Sequence, residues 1–355
     1  MRWLVILLLV LSCNTLGKPE AAVFSSPELE ARRDFYLKET YDIRDASGFV
    51  DGPGDALLFT CLRYWGGDRT VTPFSAITET GRPLRHPEIS PQISATPFSR
   101  DMFLGLLYCF DSLATDDKEL FDKLAAKVAA YGRTNDWDLC GPAIEYQISF
   151  VDRLTRCRMT PGLVSTFYEL LTRNGLPCDD YCAAKREAWQ VPAVAAAGFE
   201  RHLEVLHVLL RAKLVGKMTA ANSLILNRAA NAEPNNALYR AANGQFKTAV
   251  ELLLDTTKFP ADRPPTSSNY CAEYLWQRDE AVTKPVSANA DGCITYLSVD
   301  KSEVSECGLT PGGEYKRKQY NRDWLPCSFL TTPKSATDFL VASRLVVGRA
   351  NFTGE

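Results

Sequence analysis

The sequence has little histidine, and it lacks the short patterns that mark several large enzyme classes. Only three histidines occur in 355 residues, and none of them lies near a cysteine. The chain contains no Cys-x-x-Cys pair, which is the usual ligand spacing of a structural zinc site. The Gly-x-Ser-x-Gly, phosphate-loop and Gly-x-Gly-x-x-Gly patterns are also missing. We therefore predict that the protein uses no metal and no cofactor.

The chain also lacks a surplus of basic residues. It has 40 Lys and Arg against 43 Asp and Glu, for a formal net charge of −3, and no arginine-rich run stands out. Nucleic acid is therefore not a predicted partner. The composition, 46% hydrophobic and 23% charged, is typical of a globular protein.

The N-terminus has the order of parts found in a secretory signal peptide. Arg2 precedes an apolar run at 4–11, and Ser12 and Cys13 close it. The run is shorter than the ~20 residues that a membrane-spanning helix needs. The segment 10–13 resembles a bacterial lipobox, in which Cys13 would be lipidated. Asn14 follows where inner-membrane lipoproteins often carry Asp, so the resemblance implies an outer-membrane lipoprotein.

The alternative interpretation is an ordinary cleaved signal and a periplasmic or extracellular protein. Either way, residues 1–13 are separate from the folded domain. Membrane contact is expected only through the N-terminal lipid anchor.

Cysteine usage agrees with export. Of eleven cysteines, ten remain without Cys13, and an even number in an exported chain indicates disulfides. Cys178 and Cys182 are close enough in sequence for a local bridge. Cys61 and Cys109 lie in apolar helical segments and have a second interpretation, as buried free thiols.

The remaining sequence predicts an all-α protein with long loops and a minor β element. Ser99 begins a helix that is apolar on every face over 102–110, and Phe98 and Phe103 are placed to form a hydrophobic staple. The helix that follows has one apolar stripe. Alternation of buried and amphipathic helices is typical of a two-layer helical barrel. One strand is predicted at 293–299, and residues 20–355 are predicted to form a single domain.

The segment 99–107, Ser-Arg-Asp-Met-Phe-Leu-Gly-Leu-Leu, resembles the helix-opening motif of six-hairpin, (α/α)6-toroid carbohydrate-active enzymes such as family-8 glycoside hydrolases. Ser99, Gly105 and Leu107 match the motif in register. Arg100 stands where the family has its general-acid Glu, and an acid follows at Asp101. The segment resembles more closely the Ser-Arg-Asp-Met helix start of uncharacterised exported and phage-borne proteins. The resemblance implies an (α/α) toroid with a cleft at the N-terminal ends of the inner helices.

Glycoside hydrolysis requires two carboxyl groups on either side of the scissile bond. In a toroid, Asp101 in the first turn of its helix would project into the cleft, and we predict it as the acid. Its predicted partner is Asp55, in the loop before an apolar helix, or Asp138, in a loop that also contains a tryptophan. The predicted function is hydrolysis of a cell-envelope or extracellular polysaccharide.

Further residues are predicted to bind the glycan because they combine charge, hydroxyl or aromatic groups with these acids. The predicted binding residues are Arg100, Asp51, Asp136, Trp137, Tyr146, Arg278 and Asp279. A lyase version of the site would use Tyr146 as its base. Arg278 and Asp279 have an alternative as an ordinary ion pair.

Each of these residues also has a structural interpretation. Asp101 can simply favour the helix dipole, Asp51 and Asp55 can stabilise glycine-rich turns, and Asp136 and Asp138 can cap a loop. The alternative function is therefore a non-catalytic, glycan-binding or scaffold lipoprotein that keeps the toroid cleft.

Overall fold

The computed structural model describes residues 26–38, 44–50, 52–90, 96–142, 148–189, 199–256, 259, 261–262, 282–288, 294–298, 303–305 and 336–347. Within these ranges, 52–55, 152, 199–200 and the three strands are described by their backbone alone. The helices are α1 Pro27–Lys38, α2 Gly52–Gly66, α3 Arg100–Asp116, α4 Lys118–Thr134, α5 Pro161–Arg173, α6 Asp180–Glu187, α7 Phe199–Val215, α8 Ala220–Ala232, α9 Ala237–Ala242, α10 Phe246–Leu253 and α11 Thr337–Val347. The described part of the chain is mostly helical, as the sequence predicts.

Six of these helices contact one another in a closed order. Helix α2 packs on α3, α3 on α5, α5 on α7, α7 on α9 and α9 on α11, and α11 packs back on α2. These helices are buried on most faces; in α3, every residue from Met102 to Leu113 is buried. Residues as far apart in sequence as Leu29 and Val346 belong to one connected hydrophobic core.

The other helices lie against this set and bury a single face. Helix α4 packs on α3, α6 on α5 and α8 on α7, while α10 contacts α9 and α11, and α1 contacts α11. In α4 the buried side chains include Phe121, Ala125 and Val128, which recur at the three-to-four-residue spacing of an amphipathic helix. Fully buried and half-buried helices therefore alternate along most of the chain.

Helices α2 and α3 approach each other unusually closely. A Cβ atom placed on Gly105 would lie 2.6 Å from the Cα of Leu58, so only glycine fits at this crossing. The same two helices are joined by a disulfide between Cys61 and Cys109. The interpretation of these two cysteines as free thiols is therefore wrong.

The start of α3 differs from the prediction in one detail. Ser99 occupies the N-cap position, but its hydroxyl does not cap the helix and donates instead to the carboxylate of Asp101. The predicted staple is present, with the rings of Phe98 and Phe103 6.4 Å apart in an edge-on arrangement.

A short helical turn at Phe150–Asp152 continues as one π-helical turn at Arg153–Cys157. Three antiparallel strands, β1 Val282–Ala288, β2 Ile294–Ser298 and β3 Glu303–Ser305, form a sheet in the order β1-β2-β3. Strand β2 falls within the single strand predicted at 293–299.

Three disulfides lie in the described part of the chain: Cys61–Cys109, Cys140–Cys157 and Cys178–Cys182. The local bridge predicted within 178–182 is among them. Disulfides indicate an oxidising compartment outside the cytoplasm. The other cysteines, which include the predicted lipidation site, are Cys13, Cys271, Cys293, Cys307 and Cys327, and they lie outside the described residues.

Among the described helices, none is both long enough and apolar enough to cross a membrane.

Candidate functional site

A cavity of about 160 Å³ opens where the first turns of α3 and α5 meet α7. Its lining residues include two acidic residues, a histidine and an arginine, while the surface that they expose to it is almost entirely apolar. Its lining residues are Arg100, Asp101, Leu104, Thr160, Leu163, Leu203, Glu204 and His207. Clefts with a few convergent polar groups on apolar walls are the usual form of a small-ligand site.

Asp101 and Glu204 reach this cavity from different helices. Asp101 is in the first turn of α3, where its carboxylate accepts a hydrogen bond from the Ser99 hydroxyl. Glu204 and His207 are three residues apart on α7, a spacing that places both side chains on one helix face. Two acidic residues that are far apart in sequence, Asp101 and Glu204, therefore line the same cavity.

His207 is the buried polar group of the cavity wall. Its Nε2 lies 2.9 Å from the hydroxyl of Thr166, and the ring of Trp189 packs edge-on at 5.0 Å. Burial lowers the pKa of His207 to about 4, and the nearby Arg211 guanidinium also acts to lower it. The imidazole is therefore neutral at physiological pH, so it is suited to hydrogen bonding rather than to carrying charge.

Arg100 is anchored to a neighbouring segment. It donates from Nε to the carbonyl oxygen of Arg158 at 2.9 Å and from Nη2 to that of Leu154 at 2.8 Å. Burial lowers the pKa of the Arg100 guanidinium. These contacts fix Arg100 between the cavity and residues 150–158, which we call the 150–158 ridge.

Asp136 and Asp138 lie behind this wall, each paired with an arginine of the ridge. Asp138 Oδ2 accepts from Arg153 Nη2 at 2.6 Å and from Nε at 3.0 Å, and Asp136 pairs with Arg158. Neither residue lines the cavity described above. Asp138 is thus placed as an ion-pair partner, and no contact brings it to the predicted acid.

The position of Trp137 contradicts its predicted role in binding a glycan. Its side chain is 2% exposed, its ring packs against Phe103, Phe167 and Tyr168, and its Nε1 donates to the hydroxyl of Tyr181 at 3.2 Å. A ring enclosed in this way has no free face to stack on a sugar. Trp137 is a core residue because the left-handed backbone at Asp136 and Trp137, with φ of 47° and 60°, turns it inward.

Other predicted residues cannot be placed in the site. The backbone of Asp55 lies in the first turn of α2, and its side chain is outside the description. The remaining predicted binding residues, Asp51, Tyr146, Arg278 and Asp279, lie outside the described residues.

Glu204 and His207 are the cavity residues that the sequence analysis missed. The available signal was the Glu-x-x-His spacing at 204–207, which in a helix places an acid and an imidazole on one face. Within the described residues, one group of metal-ligating types lies within mutual reach: Asp138, Cys140 and Cys157. Both sulfurs are in a disulfide and the carboxylate is held by Arg153, so this group is unsuited to a metal.

No protein-family model, curated protein or solved structure matches this chain. Function is therefore inferred from the cavity, its residues and the disulfides.

Proposed function

We propose that the protein is an exported carbohydrate-processing enzyme of the glycoside hydrolase type. It would act on a cell-envelope or extracellular polysaccharide, with Asp101 and Glu204 as its carboxyl pair. The observation that carries the proposal is the cavity that Asp101, in the first turn of α3, and Glu204, on α7, both line. Acid and base groups on opposite sides of a glycosidic oxygen are the minimum that such hydrolysis needs.

The fold we propose is an (α/α) toroid. The closed order of contacts among α2, α3, α5, α7, α9 and α11 supports it, as does the alternation of buried and half-buried helices. In such a fold the inner helices begin around one cleft, and the cavity lies at the starts of α3 and α5 beside the early turns of α7.

The remaining cavity groups suit recognition of a sugar. The neutral imidazole of His207 and the anchored guanidinium of Arg100 supply hydrogen-bonding capacity beside the carboxylates, while Leu104, Leu163 and Leu203 supply apolar surface. A sugar ring offers hydroxyl groups at its edge and an apolar face. Export, through the signal-like N-terminus and an optional lipid at Cys13, would place this site in the periplasm, on the outer membrane or outside the cell.

The test is a comparison of three substitutions. Wild-type protein is incubated with purified peptidoglycan, chitin, xylan and pectin, and new reducing ends and unsaturated products are measured. Asp101→Asn and Glu204→Gln should each lower turnover at least ~10²-fold, the usual contribution of a positioned acid or base. Asp122→Asn is the matched control, since its exposed carboxylate pairs with Lys118 and lies outside the cavity lining, and it should keep most of the activity.

Melting temperatures of the same proteins separate catalysis from folding. If Asp101→Asn or Glu204→Gln turns over substrate at the wild-type rate, the assignment of these two residues as the carboxyl pair is refuted. If only unsaturated products appear, the reaction is elimination.

The second candidate is a glycan-binding protein without turnover. It is favoured by Arg100 standing where the toroid enzymes carry their general acid, and by the arginine pairing of Asp136 and Asp138. Oligosaccharide binding by wild-type protein without any product would decide for this candidate.

A further inference from the structure

The described surface carries a cluster of exposed hydrophobic side chains on the 150–158 ridge. Phe150 is 75% exposed, Val151 66% and Leu154 40%; the other large exposed hydrophobic residue in the described part of the chain is Leu224. Single exposed apolar residues need no explanation, whereas a cluster next to a cleft commonly marks a binding surface. The ridge contributes three such residues within five positions (150–154).

The ridge adjoins the cavity through Arg100. This residue lines the cavity, and its guanidinium is bonded to the carbonyl oxygens of Leu154 and Arg158. Phe150 lies one turn before Leu154 on the same short helix. The apolar cluster is therefore next to the wall that carries Arg100 and, one residue further along the chain, Asp101.

The ridge is also held rigidly. Cys157 is bonded to Cys140, Arg153 forms an ion pair with Asp138 at 2.6 Å, and the amide of Met159 donates to the carbonyl oxygen of Trp137 at 2.9 Å. A fixed segment loses little conformational freedom when a ligand binds. Its second part, Arg153–Cys157, is a π-helical turn, a conformation often found at functional sites.

We propose that Phe150 is an aromatic subsite that stacks on a sugar ring of the polysaccharide chain as that chain leaves the cavity. The proposal rests on the proposed function, because the cavity is taken as the place where the glycan is processed. A phenyl ring offers a flat apolar face that matches the C–H face of a pyranose, and the Arg158–Asp136 pair at the edge of the ridge supplies polar groups for hydroxyls. Phe150 would thus supply the glycan-binding aromatic ring that was predicted at Trp137.

The charge of the 150–158 ridge favours a sugar over a lipid membrane as its ligand. Attraction to anionic lipids depends on a surplus of Lys and Arg near the membrane. The ridge contains three arginines, and two of them, Arg153 and Arg158, are each paired with a carboxylate. The third, Arg156, is exposed, which is fewer than the cluster of basic residues that lipid binding uses. Arg100, beside the ridge, donates to backbone carbonyl oxygens. The ridge is therefore apolar with largely balanced charge.

The test uses the full chain and four variants. Phe150→Ala and Phe150→Leu remove the aromatic face, Phe150→Trp keeps one, and Leu224→Ala is the matched control because Leu224 is exposed on α8. Binding is measured by affinity electrophoresis in gels that contain soluble xylan, pectin, glycol chitin or peptidoglycan fragments. A second measurement is co-sedimentation with vesicles of phosphatidylethanolamine and phosphatidylglycerol. Melting temperatures verify folding, which an exposed side chain should hardly affect.

We expect Phe150→Ala and Phe150→Leu to weaken glycan binding about tenfold, which corresponds to about 1.4 kcal/mol. Phe150→Trp and Leu224→Ala should bind like wild type. Equal binding by Phe150→Ala and wild type would overturn the subsite, and so would a loss confined to vesicles, which would assign the ridge to a membrane.

The two proposals fail in different ways. If Asp101→Asn and Glu204→Gln abolish turnover while Phe150→Ala changes nothing, the subsite alone is refuted. If wild-type protein neither binds nor cleaves any glycan of the panel, the proposed function is refuted together with the subsite.

Discussion

The guanidinium of Arg100 donates from Nη2 to the carbonyl oxygen of Leu154 at a distance of 2.8 Å. This bond joins the first turn of α3, which carries Asp101, to the 150–158 ridge. The ridge in turn is covalently held by the disulfide between Cys140 and Cys157. The disulfide is thus connected through the ridge and Arg100 to the cavity. Removal of the disulfide should therefore have measurable effects at the cavity.

Removal of the ridge disulfide should destabilise the protein and impair the site. The two cysteines are 17 residues apart, and a loop of this size corresponds to about 3 kcal/mol of stability in the chain-entropy model. The double variant Cys140→Ser, Cys157→Ser should lose about that free energy of unfolding in urea titrations. It should also bind glycan more weakly, since the acceptors of Arg100 become mobile.

The matched control is Cys178→Ser, Cys182→Ser. This bridge spans 4 residues, so its removal should cost less, about 2 kcal/mol in the same model. It should leave glycan binding unchanged, because neither cysteine contacts the ridge. Equal loss of binding in both double variants would contradict a specific link between the Cys140–Cys157 bridge and the site.

We predict that Glu169 is the acidic residue of the α5–α7 contact whose substitution lowers the free energy of unfolding most. Its side chain is 9% exposed and faces three guanidinium groups: Arg186 at 3.1 Å, Arg173 at 3.3 Å and Arg211 at 3.8 Å. Glu169→Gln keeps the shape and leaves three positive charges without their shared carboxylate. Because Arg173 and Arg186 are partly exposed, we expect a loss of about 1.5–3 kcal/mol in unfolding free energy.

Asp122→Asn provides the comparison for this prediction. Asp122 forms an exposed ion pair with Lys118, with the two side chains 44% and 49% exposed, and such pairs contribute at most about 1 kcal/mol. Both variants are measured by urea denaturation at one ionic strength. A Glu169→Gln protein as stable as Asp122→Asn would show that the arginines relax into solvent.

The helical class, the buried helix that begins after Ser99 and the amphipathic helix that follows it could be predicted because their signals are local. The buried helix at Arg100–Asp116 is apolar on all faces, and its start is marked by Ser99 and the Phe98–Phe103 staple. A helix as short as Ala237–Ala242 has no such signal, because six residues do not complete two turns of periodicity. The pairing of Cys61 with Cys109 was also beyond the sequence, because it depends on how α2 and α3 cross.

Only part of the candidate site could be predicted from the sequence, for a similar reason. Asp101 could be found from its place in a helix start, which is a local property. Glu204 joins the same cavity only through the packing of α7 on α3 and α5, which no local pattern reports. Trp137 was misjudged because an unusual backbone turn, rather than its acidic neighbours, determines where its ring points.

Substitution of Gly105 should separate α2 from α3. A Cβ at this position would lie 2.6 Å from the Cα of Leu58 and 3.2 Å from the carbonyl oxygen of Leu57, and backbone atoms cannot rotate away. Gly105→Ala should therefore cost about 1–3 kcal/mol, despite the better helix propensity of alanine. Thr115→Ala, at an exposed position of the same helix, should instead stabilise slightly. Chemical denaturation of both variants would show opposite signs if the close crossing is correct.

The last prediction concerns pH and His207. Its folded-state pKa is lowered from 6.5 to about 4, chiefly by burial. Above pH ~6.5 the imidazole is neutral in both folded and unfolded chains, so it adds no pH dependence there. As the pH falls from about 6.5 to about 4, the His207 imidazole binds a proton in the unfolded chain but stays neutral in the folded chain. Stability should therefore fall through this window, by on the order of 3 kcal/mol.

The measurement is the free energy of unfolding of wild-type protein and His207→Gln across this window. Glutamine keeps a hydrogen-bonding group for Thr166 and cannot titrate. Carboxylates affect both proteins equally; Asp179, for example, whose pKa the Arg133 hydrogen bond lowers to about 2, cancels in the difference. We expect the two stability curves to converge, or to cross, as the pH falls toward 4. Curves that stay parallel would mean that the imidazole accepts a proton inside the fold, and the cavity would then hold a positive charge beside Asp101 and Glu204 at mildly acidic pH.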